Sequence, residues 1–209
     1  MKRYFIPLLL IFLVVGANFR IIRAESNYHP LNVNMQIKFH YIIEHVDKKD
    51  STWQLTVVKN TYPESVTYTW TRPQKDRTDW KGTRILLDLK NSKNFNPWFT
   101  NNESKATTDT APWLSQLVFK ELTEKGRSAE FREGGTGALN WARTALAVKE
   151  KLLFPVTING KPEALKALKL NKGIVVWDNP NNPLILEYEP LGVPLVTSVT
   201  GWKVVEINY

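Results

Sequence analysis

Cysteine is absent from the 209 residues. That excludes disulfides, cysteine-ligated zinc, a cysteine nucleophile and a lipid anchor carried on cysteine. Histidine is scarce: His29, His40 and His45 are the only three. No H-E-x-x-H stretch occurs, and the odd spacing of His40 and His45 places them on opposite faces of a strand. They read as surface or hydrogen-bonded histidines, and no metal or cofactor is expected. No G-x-S-x-G elbow is present either, so Ser115 and Ser198 carry no mark of a nucleophile. Long apolar runs are also missing. The longest, Ile6 to Val15, is about half of the roughly 20 residues that a membrane-spanning helix needs.

That short run sits where it has a meaning. Met1-Lys2-Arg3 precedes it, and small and polar residues follow it up to Ala24. Basic start, apolar middle and small-residue exit are the three parts of a secretory signal. Cleavage fits after Ala17, behind Val15-Gly16, or after Ala24, behind Ile22-Arg23. An uncleaved anchor flanked by Arg20 and Arg23 is the alternative. The expectation is a signal peptide over 1–24, one domain over 25–209, and no stable transmembrane span after cleavage.

Cleavage revises the charge. The formal +8 comes from 28 basic and 20 acidic residues. The leader holds Lys2, Arg3, Arg20 and Arg23 and no acid, so 28 less four leaves 24 against 20, or +4. The remaining lysines are scattered, with no arginine-rich run, and nucleic acid is not an expected partner. An exported chain of this length can bury a core without disulfides. Its expected location is bacterial, periplasmic or secreted.

What the mature chain does contain is alternation. Ile37, Phe39, Tyr41 and Ile43 share one face of 36–44; Trp53, Leu55 and Val57 share one face of 52–58; Val66, Tyr68 and Trp70 share one face of 65–71. In 83–90 the pattern sets Ile85, Leu87 and Leu89 against Arg84, Asp88 and Lys90. Period two with short connections predicts an antiparallel sheet with one covered face. Residues 91–111 read as a long polar loop around Phe95, Pro97, Trp98 and Phe99. A helix is predicted over about 112–125, capped by Asp109 or Thr110, with Pro112 in its first turn and Lys125-Gly126 as its stop. Beyond it, Ala129–Phe131, part of Ala142–Val148, Phe154–Ile158, Ile174–Trp177, Leu184–Tyr188, Leu195–Thr200 and Lys203–Ile207 read as strands. Asn159-Gly160 is a hairpin turn, and Pro162–Leu168 reads as a short helix. The predicted class is α+β, predominantly antiparallel β: a curved sheet or open barrel with one main helix packed on it.

Chemistry is weakly marked. Glu44 with Asp47, Asp76 with Asp79, and Glu187 with Glu189 are the acidic pairs closest in sequence, and a carboxylate-based hydrolase of the envelope would need such a pair. Each reads as solvated charge at a strand end or turn. Glu133-Gly134-Gly135-Thr136-Gly137 lacks the lysine of a phosphate-cradling loop and reads as a hairpin. Aromatic content is the oddity, with eight tryptophans. Trp53, Trp70 and Trp113 sit on predicted apolar faces. Trp80, Trp98 and Phe99 fall in predicted loops, where they either line a groove for a sugar or lipid or plug the end of a barrel.

Two stretches, Thr108-Asp109-Thr110-Ala111-Pro112-Trp113-Leu114-Ser115 and Val176-Trp177-Asp178-Asn179-Pro180 with Asn182-Pro183-Leu184-Ile185-Leu186, carry a resemblance. They are similar to segments of uncharacterised exported bacterial β-rich proteins of unknown function. The resemblance implies an envelope location and a non-enzymatic role, and it brings no catalytic residues. Together these readings predict non-catalytic binding of an apolar or amphipathic ligand, with Trp80, Trp98, Phe99 and Trp113 as the candidate contacts. A lipid, a glycan or an envelope protein is the expected partner. A carboxylate hydrolase and a structural or assembly protein without a pocket are the alternatives, and the sequence leaves the oligomeric state open.

Overall fold

Alternation along the first half of the chain builds a meander. The computed structural model describes residues 29–42, 52–73, 79–128, 130–134, 142–189 and 201–209. Strands β1 (Gln36–Ile42), β2 (Thr52–Thr61), β3 (Ser65–Arg72) and β4 (Trp80–Leu86) pair antiparallel in chain order. Of the predicted inner faces of the first three, Ile37, Phe39 and Tyr41, then Trp53, Leu55 and Val57, then Val66, Tyr68 and Trp70 are buried, and Ile43 lies outside the described residues.

Strand β4 corrects the prediction. Arg84 and Leu86 are buried, while Leu87 is 51 % exposed. The inner face is therefore Gly82, Arg84 and Leu86, one residue out of step with the expected Ile85, Leu87 and Leu89. A shift of one residue exchanges the two faces of a strand. Here it happens because Arg84 finds a carboxylate and two carbonyls inside, as shown below. Leu89 is still buried, in the turn that follows the strand.

The expected polar loop contains two short strands, β5 (Asn94–Phe95) and β6 (Glu103–Thr107). Strand β6 runs parallel to β4 with Gly82 opposite Glu103 and Leu86 opposite Thr107. Strand β5 pairs with β7 (Phe131–Glu133), which pairs with β8 (Ala142–Thr144), giving a separate three-stranded sheet. Residues as polar as those of β6 give no alternation to read.

Helix α1 spans Gln116–Lys125. It begins about one turn later than expected, because the N-cap is Ser115, whose hydroxyl accepts the Val118 N–H at 3.2 Å. Asp109 and Thr110 lie well upstream of that cap. Pro112 lies in a turn, and Trp113 forms a β-bridge with Leu184 instead of starting the helix. Gly126 ends the helix at φ 72°, as its position after Lys125 predicts. Val118, Phe119 and Leu122 carry the helix into the core.

The second half closes on itself. Strands β9 (Val148–Ile158), β10 (Lys161–Leu170), β11 (Ile174–Trp177), β12 (Ile185–Tyr188) and β13 (Gly201–Asn208) form a five-stranded barrel. Asn159 and Gly160 make the β9–β10 turn with positive φ at both positions, the geometry that an Asn-Gly pair favours. The helix expected over Pro162–Leu168 is strand β10. Its Ala, Leu and Lys content favours helix, but pairing from Lys161–Ile158 to Leu170–Val148 outweighs that weak preference. The strand expected over Leu195–Thr200 lies outside the described residues.

Strand β13 joins the two halves. One edge pairs with β1 throughout; the other pairs with β12 through Glu187 and Tyr188, and with β9 through Thr157 and Ile158. At the β12 seam the chains approach so closely that a Cβ on Gly201 would run into the Tyr188 carbonyl oxygen. Gly201→Ala is therefore expected to lower stability by about 3 kcal/mol, the upper range for overpacking. Gly160→Ala, which meets no atom and suffers only its positive φ, should cost about 1 kcal/mol. Urea midpoints of the two variants check the order.

Candidate ligand site at the aromatic end of the sheet

One end of the sheet collects the large rings. Strands β1, β3 and β12 end here, and β2, β4 and β13 begin here. The last inner residue of β1 is Tyr41 and the first of β2 is Trp53. Trp70 and Arg72 end the inner face of β3, and Trp202 begins that of β13. Alternation with antiparallel pairing brings them together across neighbouring strands.

The rings form a connected network. Phe39 stacks on Trp53 at 4.0 Å between centroids. Trp53 meets Trp202 edge to face at 6.2 Å, and Trp202 meets Tyr188 at 4.8 Å. Phe95, brought in by β5, lies 5.2 Å from Tyr188 and 5.5 Å from Phe131 of β7. The small sheet thus covers this end through Phe95 and Phe131.

Arg84 organises the cover. Its side chain is 1 % exposed and that of its partner Glu103 is 6 % exposed. The Arg84 Nε donates to Glu103 Oε1 and Nη2 to Oε2 at 3.2 Å, a bidentate pair. Nη1 donates to the Asn96 carbonyl at 3.1 Å, and Nη2 also donates to the Trp98 carbonyl. One guanidinium therefore ties together the backbone of 96–98 and the start of β6. Burial pushes the Glu103 carboxyl up, but the hydrogen bond and charge of Arg84, aided by Thr100, outweigh it and hold it below the ordinary carboxylate value. Burial pushes the Tyr41 phenol up to about 12 against the opposing pull of Arg72 and Arg84.

The candidate aromatics divide on the structure. Phe99 lies with its ring under the Arg84 guanidinium at 4.0 Å, 4.8 Å from Trp53 and 5.2 Å from Trp70. Trp98 is half-buried beside it and gives its carbonyl to Arg84. Trp80 stands at the rim, 36 % exposed, with the Arg72 guanidinium 5.7 Å from its ring and 4.7 Å from that of Tyr41. Trp113 is elsewhere: fully buried, 5.7 Å from Tyr68, with its indole N–H donated to Asn182 Oδ1 at 2.8 Å.

Three other indoles are less well served. Among the described residues, the Nε1 atoms of Trp53, Trp70 and Trp202 are buried and reach no acceptor. Trp70 lies directly over Gly82, where a Cβ would come within 2.7 Å of its Nε1. Buried donors are nearly always paired, so three unpaired ones in one ring network are unusual. Sequence reading assigned Trp53 and Trp70 to the core and singled out neither; the unpaired donors depend on which strand lies opposite, and composition does not carry that.

Among the described residues the acids give no comparable assembly. Glu44, Asp47 and Asp76 lie outside the described residues, Asp79 is exposed, Glu187 pairs with Lys203 at 3.5 Å, and Glu189 is exposed. Glu133 accepts the hydroxyl of buried Tyr188, and this carboxylate together with burial raises the phenol. The rest of the glycine-rich stretch, 135–137, lies outside the described residues. Among the described residues no three His, Asp or Glu side chains gather as metal ligands. His29 stacks on Tyr209 at 4.9 Å, His40 is half-buried on β1, and His45 is outside the described residues. No family model, curated protein or solved structure matches the chain.

Glu103→Gln is expected to cost about 3 kcal/mol, because it leaves Arg84 buried without its counter-charge. Glu103 has a depressed folded pKa, so its contribution is present above the unfolded value of about 4.3 and is lost as pH falls through the lower folded value. Denaturant midpoints measured from pH 6 down to about 3 should therefore fall more steeply for the parent protein than for Glu103→Gln.

Proposed function

We propose that the protein is an exported component of a bacterial envelope that binds an amphipathic ligand without transforming it, at the aromatic end of the sheet. The observation that carries this reading is the set of three buried indole N–H groups without acceptors, placed within a network of rings. Rings supply apolar contact, and the donors supply orientation, the combination that small-molecule sites use. Each unpaired buried donor costs the free protein about 1–3 kcal/mol. An acceptor on a ligand removes that cost, whereas a purely structural core would keep it.

Phe99 and the rim residue Trp80 belong to this reading, and Trp98 supports it through its carbonyl. Trp113, with its indole satisfied by Asn182, has a packing role in it. The basic and apolar leader over 1–24, with the lack of cysteine, supports the envelope address.

The ligand reading is tested by titrating the mature protein with decanoate, n-octyl β-glucoside and a cell-wall oligosaccharide, following tryptophan fluorescence and native mass spectra. At least one is expected to bind below about 1 mM, an interaction of roughly 4 kcal/mol. No retained member up to that concentration contradicts the reading. The address is tested separately: the protein from a bacterial host should begin at residue 18 or 25 on N-terminal sequencing, and retention of Met1 contradicts export by cleavage.

A further inference from the structure

We propose that Phe99 occupies the place of a ligand ring, and that this ring is a saccharide. The inference rests on the binding reading above and names the chemistry of its occupant.

The surroundings of Phe99 define what fits. One face of its ring meets the Arg84 guanidinium at 4.0 Å, and the ring lies 4.8 Å from that of Trp53 and 5.2 Å from that of Trp70. The hydrogen-bonding edges of that guanidinium are committed to Glu103, Asn96 and Trp98. What it offers to the ring is its flat face, which stacks on another flat group. An anionic headgroup would need the edges, and they are taken. The neighbouring indoles each carry a buried N–H with no acceptor, and a phenyl ring has none to give.

A pyranose answers both demands. Its C–H faces are apolar enough to lie against rings and a guanidinium plane, and its edge oxygens are acceptors of the kind that the neighbouring Trp53 and Trp70 indoles lack. It matches a phenyl ring in having six members. An acyl chain would fill the space but leave the donors as they are.

The local fold lets Phe99 leave without dismantling its frame. Phe99 is half-buried and lies in 96–100, which is neither helix nor strand. The backbone on either side is fixed by the bonds of Arg84 to Asn96, Trp98 and Glu103. Rotation of one side chain therefore vacates the place, while the indoles and Arg84 keep their positions. Gly82 contributes by having no Cβ, which lets the Trp70 indole lie against β4.

A plug and a wall respond oppositely to truncation. When the competent state is a minor one, observed affinity is reduced by its population, so removing the plug strengthens binding. With the open state at about 10 % or less, Phe99→Ala should bind n-octyl β-glucoside at least roughly tenfold more tightly than the parent. Phe99→Trp, a bulkier plug, should bind more weakly, and Phe99→Leu should fall between parent and Ala and serves if Ala does not fold. Calorimetric titrations below the micelle concentration give the constants, with decanoate run on the same proteins. Unchanged or weaker glucoside binding in the Ala and Leu variants overturns the plug. Binding of decanoate with none of glucoside overturns the saccharide assignment and leaves the binding reading standing. Binding of neither ligand by any variant overturns both.

Discussion

A single buried cation sets the arrangement of the aromatic end of the sheet. Arg84 sits inside the sheet because Glu103 and the carbonyls of Asn96 and Trp98 together meet four of its hydrogen bonds. Removing a charge from water costs several kcal/mol, and only such complete pairing offsets it. Three consequences follow. Strand β4 turns its Gly82 inward, which gives the Trp70 indole a flat bed. Strand β6 is fixed against β4 with Glu103 opposite Gly82. The segment between β5 and β6 is drawn over the ring network, with Phe99 under the guanidinium.

The other half of the molecule supplies the rigid support. Strand β13 belongs to the barrel and to the meander at once, and Trp202 lies on it where the two meet. The indole therefore faces Trp53 from a strand held on both edges. Close approach at Gly201 and Gly173, where a Cβ would collide with backbone carbonyl oxygens of Tyr188 and Glu189, keeps that junction tight. The aromatic end thus consists of side chains on strands, covered by one irregular segment that Arg84 holds in place.

Much of this frame was legible in the sequence. Alternation alone placed Phe39, Tyr41, Trp53 and Trp70 on one covered face, and Asn159-Gly160 marked its hairpin. The failures have a common cause, which is that a partner distant in sequence outweighed a local signal. Arg84 read as outward because it is charged, and only Glu103 makes it inward. Pro162–Leu168 read as helix because it is rich in Ala, Leu and Lys, and β9 makes it a strand. Trp113 read as the first turn of a helix, and its bridge to Leu184 makes it extended. The unpaired indoles were invisible for the same reason: a tryptophan in sequence does not show whether its N–H will meet an acceptor. Phe99 was visible as a ring out of place in a polar stretch, and the structure sets it against Arg84, Trp53 and Trp70.

The central claim is that the indole donors of Trp53, Trp70 and Trp202 are kept for a ligand. Their N–H groups can be observed directly in a proton–nitrogen correlation spectrum, assigned by replacing each tryptophan in turn. On addition of n-octyl β-glucoside, the account predicts downfield proton shifts at these three indoles as they gain acceptors, with the Trp113 signal unmoved because Asn182 already holds it. Binding that leaves all three signals in place, or that moves Trp113 instead, would contradict the account.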